Sequence, residues 1–402
     1  MLLRSQNIHF DGLRLEDVVF IDEDTDAQMA STRVQPDDVL LNITGASLGR
    51  CTIAPKDIAP ANVNQHVCIL RPSKKRVDSR FLNMEIQSAP VQRAIFAGEN
   101  GSSREGLTSE QVGNLEIVLP PLPDQQAIAD YLDRETARLD GLVAAKECVL
   151  GLLAEKRRAL ITRAVTRGLV PTVPFRDSSI PWLGEIPAHW EAKRLKFTSP
   201  EITVGIVVTP AKYYESAGVP CLRSLNVREE GLTDSDLVYI NDESNALLAK
   251  SRVFLGDLVA VRSGQPGTTA VVDERFNGAN CIDLIIIRRP STFVSAFLSH
   301  FLNSQPAKMQ FLSGSGGAIQ QHFNTETAKD LVTPVPPLEE QRVIVAYIEK
   351  ETAKLDALRE ATERTIGLLK ERRAALIAAA VTGRIAIPEN TEDNLPGGRH
   401  EN

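Results

Sequence analysis

The chain repeats itself, and the repeat limits its architecture more than any other feature. Residues Pro120 to Thr166 return at Pro336 to Thr382 with a constant offset of 216, no gaps and roughly half the positions identical. Copies this similar must fold alike, so the repeat is read before any motif. The stretches ahead of them match more weakly at an offset of 219. Leu3-Arg4-Ser5-Gln6-Asn7 with Gly12-Leu13 answers Leu222-Arg223-Ser224-Leu225-Asn226 with Gly231-Leu232, and Asp17 to Ile21 answers Asp236 to Ile240. Further on, Asp38 and Thr44-Gly45 answer Asp257 and Ser263-Gly264, and Arg71-Pro72-Ser73 answers Arg289-Pro290-Ser291. The drift in offset places short insertions in loops. The order is A-B-A′-B′: globular parts over 1–119 and 169–335, helical parts over 120–168 and 336–385, and a Gly-, Asn- and Glu-rich tail over 386–402 that reads as disordered. A chain of 402 residues exceeds a single core, in keeping with this division.

Each B part opens on Pro-Pro-Leu, which blocks helix upstream, followed by Asp124 or by Glu339 and Glu340, whose charge suits a helix start. More than 40 residues without proline follow, enough for a helix of about 65 Å. A helix that long needs a partner. The heptad row Leu132, Leu139, Lys146, Leu153, Leu160 recurs as Ile348, Leu355, Thr362, Leu369, Leu376, with Leu142 and Leu358 on the adjoining row, the spacing of a coiled-coil seam. Both rows carry a polar residue at the same central place. Two readings of Lys146 are open: it defines the register opposite or near Thr362, or it runs its stem along the seam. The cations of Lys156-Arg157-Arg158 and Lys370-Glu371-Arg372-Arg373 are either a solvated face or a contact for DNA backbone or a partner subunit. Antiparallel pairing of the two helices is expected, with a pseudo-two-fold internal repeat.

The A parts are rich in turn residues and short β-branched runs. Strands are expected at Leu237 to Ile240, Arg252 to Leu255, Leu258 to Val261, Thr269 to Val272 and Leu284 to Ile287, then a helix at Phe293 to Leu302. The first A part shows the same order, with strands near Val18 to Ile21, Val39 to Ile43 and Val67 to Leu70 and a helix near Arg80 to Ile86. The fold class is therefore α+β or α/β.

Several function classes fall away. The longest greasy stretch, Leu284 to Ile287, stops at Arg288-Arg289, so no membrane span is expected, and with no signal peptide legible at the start, a cytoplasmic location follows. Five scattered cysteines with no C-x-x-C pair suggest neither a zinc site nor a disulfide framework. No phosphate-binding glycine loop, dinucleotide fingerprint, amino-methyltransferase step or H-E-x-x-H is present, and the six histidines are dispersed. Asp283 lacks the acidic-x-Lys partner of a nuclease carboxylate. The formal charge of -7 argues against a wholly nucleic-acid-binding surface but leaves room for a local basic face.

Polar, glycine-bearing loops recur at matching places. Thr44-Gly45-Ala46-Ser47-Leu48-Gly49-Arg50 corresponds to Ser263-Gly264-Gln265-Pro266-Gly267-Thr268 beside Arg262, and Gly101-Ser102-Ser103-Arg104 to Gly317-Ala318-Ile319-Gln320 beside Gln321. Glycine lets a backbone approach closely, and Arg, Gln and Asn can make paired contacts to base edges. Ordinary surface turns are the other reading of these loops. Arg4 and Asn7, with Arg223 and Asn226, are repeated polar residues that fit a DNA contact or the bracing of a turn.

The combination of Pro-Pro-Leu-x-x-Gln-Gln with Pro-Pro-Leu-Glu-Glu-Gln, Leu-Asp at 139–140 and 355–356, Ala-Leu-Ile near 159 and 375, and Ala-Val-Thr at 164–166 and 380–382 resembles the DNA specificity subunit of type I restriction-modification systems. Pro181-Trp182-Leu183-Gly184-Glu185-Ile186-Pro187 with Trp190 resembles the opening of one of its target-recognition domains. The resemblance spans nearly the whole chain. It implies that each A part reads one half of a bipartite target on double-stranded DNA, while the helices set the gap and hold two methyltransferase subunits, which restriction endonuclease subunits join. Methyl donor, ATP and magnesium belong to those partners, so the chain itself is expected to have no cofactor, no metal and no catalytic residue. The candidate DNA-binding residues are Arg4, Asn7, Thr44, Ser47, Arg50, Ser102, Arg104, Arg223, Asn226, Arg262, Ser263, Gln265, Gln320 and Gln321. One departure stands out: the match between the A parts begins at Leu3 and Leu222, so the first lacks about 40 residues that precede this point in the second, Pro-Trp-Leu-Gly-Glu-Ile-Pro included. A non-enzymatic coiled-coil scaffold and a truncated, partly functional specificity subunit are the alternatives.

Overall fold

The structure, a computed structural model, describes residues 1–99, 106–314 and 323–388. Ser102, Arg104, Gln320, Gln321 and most of the expected tail lie outside the described residues. The chain divides into two compact units, Met1–Val149 with Ala361–Asn402, and Leu150–Glu360.

Two helices dominate, Leu122–Arg167 and Leu338–Val381. Each follows a Pro-Pro step and carries acidic residues in its first turn, Asp124 in one and Glu339 and Glu340 in the other. In the first unit Ile128, Ala129 and Leu132 share a core with Ile377, Ala380 and Val381, while Asp140 reaches Arg373 at 3.0 Å and Glu147 reaches Lys370 at 3.8 Å. Partner numbers fall as residue numbers rise, so the helices run antiparallel. The second unit has the same order: Arg157 pairs with Asp356 at 3.8 Å, and Ala164 and Val165 share a core with Ile344, Val345 and Ile348.

Of the expected seam, Leu132, Leu139, Ile348, Leu355 and Thr362 are buried, and Lys146, Leu153, Leu160, Leu369 and Leu376 are half-buried. The adjoining row needs correction. Leu142 and Leu358 are 42% and 55% exposed, and the second row is instead Thr136, Val143, Leu150 and Arg157 on one helix and Thr352, Ile366 and Arg373 on the other. The threonines fit because their hydroxyls are satisfied within the helix, Thr136 Oγ1 by the Leu132 carbonyl at 2.6 Å and Thr352 Oγ1 by that of Ile348 at 2.8 Å. Lys146 does not face Thr362: its neighbour Glu147 lies beside Lys370, about 12 Å further along the helix.

The globular part of the first unit is built on an antiparallel sheet in which Val39–Asn42 lies between Cys51–Ile53 and Val67–Leu70. Helix Ser79–Gln87 covers one face, contributing Ile86 to the core of Val39, Leu41 and Cys51. The second unit repeats this with Leu258–Val261 between Thr269–Val271 and Leu284–Ile287, covered by Ser295–Leu302. There the sheet gains a fourth strand, Ile202–Val204, on the outer side of Leu284–Ile287. Among the described residues Val67–Leu70 has no such neighbour, and Leu284–Ile287 is buried along its whole length where Val67–Leu70 is mostly half-buried. The second unit also pairs Glu191–Arg194 with Val332–Val335 and seats Trp190 against Phe297, its indole N–H donating to Glu340 at 3.1 Å.

Two expected strands are not strands. Val18 to Ile21 makes only a bridge from Val19 to Leu2, and Arg252 to Leu255 only one from Arg252 to Asn280. The equivalence of Arg71 also shifts. Val39 opposes Leu70 and Leu258 opposes Ile287, so Arg71 answers Arg288 rather than Arg289. Chemistry agrees. Arg71 grips buried Asp38 with two bonds of 2.7 Å and caps the Arg33 carbonyl, and Arg288 grips buried Asp257 at 2.7 Å and caps the Arg252 carbonyl. A buried carboxylate needs such a partner, and a guanidinium supplies it along with further donors.

Candidate nucleic-acid interface

The recurrent loops grow from the central strand of each sheet. In the first unit the strand returns at Arg50, whose carbonyl accepts from the Asn42 N–H at 2.8 Å, while Gly49 donates to the Asn42 carbonyl at 2.9 Å. In the second, Val261 donates to the Thr268 carbonyl at 2.9 Å and Gly267 to that of Val261 at 2.9 Å. The second glycine of each loop is obligatory. Gly49 and Gly267 have φ of +81° and +85°, and a Cβ there would lie 2.5 Å from Gln92 Oε1 or 2.4 Å from the Phe311 ring. Each loop is thus braced from below, and Gln92 also donates to the Gly49 carbonyl at 2.9 Å.

Within these loops Thr44, Ser47, Arg50, Arg262 and Ser263 are half-buried and Gln265 is exposed. The sequence reading missed their partners. Thr44 Oγ1 hydrogen-bonds His66 Nδ1 at 2.7 Å, and Arg262 forms a close ion pair with Asp283. His66 and Asp283 are equivalent, because each precedes the residue, Val67 or Leu284, that opposes Asn42 or Val261. The position that carries an imidazole bonded to a hydroxyl in one unit therefore carries a carboxylate paired with a guanidinium in the other, the partners coming from neighbouring places in the loop, since Thr44 answers Ser263 and Arg262 answers Ile43. No sequence spacing announces a partner some twenty residues away, although Asp283 was visible as a charge inside an apolar run.

Arg4, Asn7, Arg223 and Asn226 serve the turns. Asn7 and Asn226 are buried; each accepts from the N–H of Arg4 or Arg223 at 2.9 Å and donates onward, Asn7 to the Arg14 carbonyl at 2.7 Å and Asn226 to that of Ser235 at 2.7 Å. The guanidinium of Arg4 caps the Asp17 carbonyl at 2.9 Å, and that of Arg223 the Asp236 carbonyl. Asn42 ties the first of these turns to the sheet by donating to the Ser5 carbonyl at 2.8 Å. The turn-bracing alternative accounts for all four residues.

Among the described residues no group of three or more His, Cys, Asp or Glu could hold a metal. A cavity of about 990 Å³ in the second unit, between Arg157 to Arg167 and the helices around His300 and Lys308, is lined by basic and acidic side chains in equal number, which leaves it without a net attraction for an anion. Among the described residues no helix is long and apolar enough to cross a membrane.

Residues 26–145 and 208–366 match the type I restriction modification DNA specificity domain, once in each half. The chain is 23% identical over 369 residues to the type I restriction enzyme EcoBI specificity subunit of Escherichia coli, covering 90% of this chain and 76% of that one. It is 22% identical over 413 residues to the EcoKI specificity subunit of Escherichia coli strain K12, covering 98% and 84%. The fold is shared with the HsdS subunit from Thermoanaerobacter tengcongensis, at 19% identity, a TM-score of 0.52 and coverage of 96% and 90%. It is also shared with a chain solved in work on complex assembly and conformational transition of the type I R-M system, at 19% identity, a TM-score of 0.70 and coverage of 88% and 83%. With the matched segments taking in well over half its length, the chain belongs to the DNA specificity family of type I restriction-modification systems.

Proposed function

We propose that this specificity subunit reads a bipartite target on double-stranded DNA, one half per globular part, through the loops at Thr44 to Arg50 and Arg262 to Thr268. In this reading it works in the cytoplasm, holds two methyltransferase subunits and the restriction endonuclease subunits that join them, and performs no chemistry itself. Reading domains over 1–119 and 169–335 alternate with helical parts over 120–168 and 336–385, the helices setting the gap between half-sites. The observation that carries the proposal is the contrast between frame and loop. Asp38 with Arg71 and Asp257 with Arg288 are the same buried pair at matching positions, whereas the equivalent residues His66 and Asp283 take different loop partners, Thr44 and Arg262. A shared frame bearing different side chains at its rim is what reading two different half-sites requires, since a good paired contact to a base discriminates by about 1 to 3 kcal/mol.

Methylome sequencing of a host carrying the chain with its methyltransferase partner tests this. Arg262→Ala and Gln265→Ala should relax one half of the methylated sequence and Thr44→Ala the other. Unchanged methylation in all three variants would remove these loops from the interface. Ser102, Arg104, Gln320 and Gln321 remain proposed contacts of the same kind, tested by the same substitution.

A further inference from the structure

The repeat signature contains a glutamine, Gln125 and Gln341, to which a role in DNA reading gives no reason to exist. Both are buried, at 1% and 0% exposure, in the first turn of a long helix. Gln125 Oε1 accepts the Asp78 N–H at 2.9 Å, and its Nε2 donates to the carbonyls of Arg76 at 3.0 Å and Pro120 at 2.7 Å. Gln341 does the same 216 residues later: Oε1 accepts from Val294 at 2.8 Å, and Nε2 donates to Thr292 at 3.0 Å and Pro336 at 2.8 Å. Asp78 and Val294 are the N-caps of the helices that cover each sheet, so one carboxamide joins the start of the domain helix, the loop before it and the entry to the long helix. Around it in the first unit lie apolar contacts, Phe81 and Met84 on Ile128, Ala129 and Leu132, and at the surface Arg80 pairs with Asp130 at 2.7 Å and Asp133 at 3.1 Å. Apolar burial holds surfaces together without prescribing an angle, and half-exposed ion pairs such as those of Arg80 hold one only loosely, whereas three short buried hydrogen bonds on a planar amide prescribe one.

We infer that Gln125 and Gln341 are positioning residues, each fixing the angle between a reading domain and its long helix, and thereby the gap between half-sites at which DNA is accepted. The inference rests on the reading above, in which the helices set that gap. Without the amide the domain keeps its fold and its base contacts but pivots on its apolar seat. Loss of gap discrimination with unchanged base preference is then the signature, and a role in folding alone would not produce it.

The test uses the full chain in complex with its methyltransferase partner, on DNA carrying the two half-sites at the native gap and at gaps one base pair shorter and longer. Wild type should methylate the native gap alone. Gln125→Ala and, separately, Gln341→Ala should raise methylation of the altered gaps relative to the native one by about tenfold, the equivalent of roughly one lost directional bond, with the same bases required in each half. A folded variant that keeps strict gap selection, or one that changes the bases required instead, overturns the inference. Should either alanine variant fail to fold, Gln125→Met and Gln341→Met, which fill the volume without the polar atoms, are read by the same criteria. Wild type accepting every gap would refute the proposed spacer role first and this inference with it.

Discussion

Two leucines three residues apart on the first long helix should respond very differently to truncation. Leu139 is 1% exposed and Leu142 is 42% exposed, although both fit a heptad reading of the sequence. Leucine to alanine removes three carbons, worth about 2.4 kcal/mol of transfer free energy when fully buried, and the cavity left behind brings Leu139→Ala to about 3 kcal/mol. At Leu142 only part of that surface is hidden, the site opens to water and alanine is the better helix former, so the cost should be about 1 kcal/mol or less. Equilibrium urea unfolding separates the cases. Both tryptophans, Trp182 and Trp190, lie in the second unit, so fluorescence follows that unit while circular dichroism at helix wavelengths follows both. Leu139→Ala should lower the circular dichroism midpoint by more than about 1 M, given a slope near 2 kcal/mol per molar, with fluorescence shifted less. If Leu142→Ala costs as much as Leu139→Ala, the assignment of the second seam row to Thr136, Val143, Leu150 and Arg157 is wrong.

Three further outcomes follow from particular groups. His300 is held well below its ordinary range, to about 4, by burial first and the Arg157 guanidinium second. A histidine depressed in the folded state leaves the unfolded chain binding more protons below pH 6.5, so stability falls as pH drops; between pH 7 and 5 the second unit should lose about 2 kcal/mol by fluorescence-monitored unfolding, and His300→Gln should abolish the loss. Asp140 and Arg373 form a half-exposed pair, so Asp140→Arg should cost no more than about 1 kcal/mol and the double swap with Arg373→Asp should recover most of it, a non-additivity read from a double-mutant cycle. Cys148 is the exposed thiol, while burial pushes Cys51, Cys221 and Cys281 up, Cys221 to about 12. A maleimide at neutral pH should therefore label one site rapidly, and Cys148→Ser should remove that fast phase.

The long helices were legible because nothing in them depends on distant residues: a proline step, a charged first turn and an unbroken heptad row are local signals. Their facing was less so. Leu142 and Leu358 look like seam residues and Thr136, Thr352, Arg157 and Arg373 do not, yet the threonines close their hydroxyls on the preceding turn and the arginines reach acids on the opposite helix. Strand content misled for a related reason. Val18 to Ile21 and Arg252 to Leu255 have the composition of strands but no continuous neighbour, and a strand exists only where another chain segment completes its ladder. Asn7 and Asn226 stood out as repeated polar residues, but only the carbonyls around them decide that they brace turns. The signature glutamines were in plain view, and their role depended on backbone groups more than 45 residues earlier in the chain.

The duplication also bounds what the pair of units can recognise. The central strands with their flanking partners, the buried Asp–Arg pairs, the Asn-braced turns and the signature glutamines come in two copies at matching positions, so the rim diverges on a shared central frame. At that rim one unit offers a threonine with a histidine and the other an arginine with an aspartate, and the first loop, closed between Asn42 and Arg50, is one residue longer than the second, closed between Val261 and Thr268. A guanidinium can offer donors in a fork that suits guanine once it exchanges Asp283 for a base, whereas a threonine hydroxyl with an imidazole offers single, switchable donors and acceptors. If these loops face the bases as proposed, surfaces so different are expected to favour different base patterns. On that reading the methylated sequence is predicted to be asymmetric, its two halves unrelated by a dyad, with a guanine expected in the half that Arg262→Ala relaxes. A palindromic methylated site would show that these loops do not face the bases.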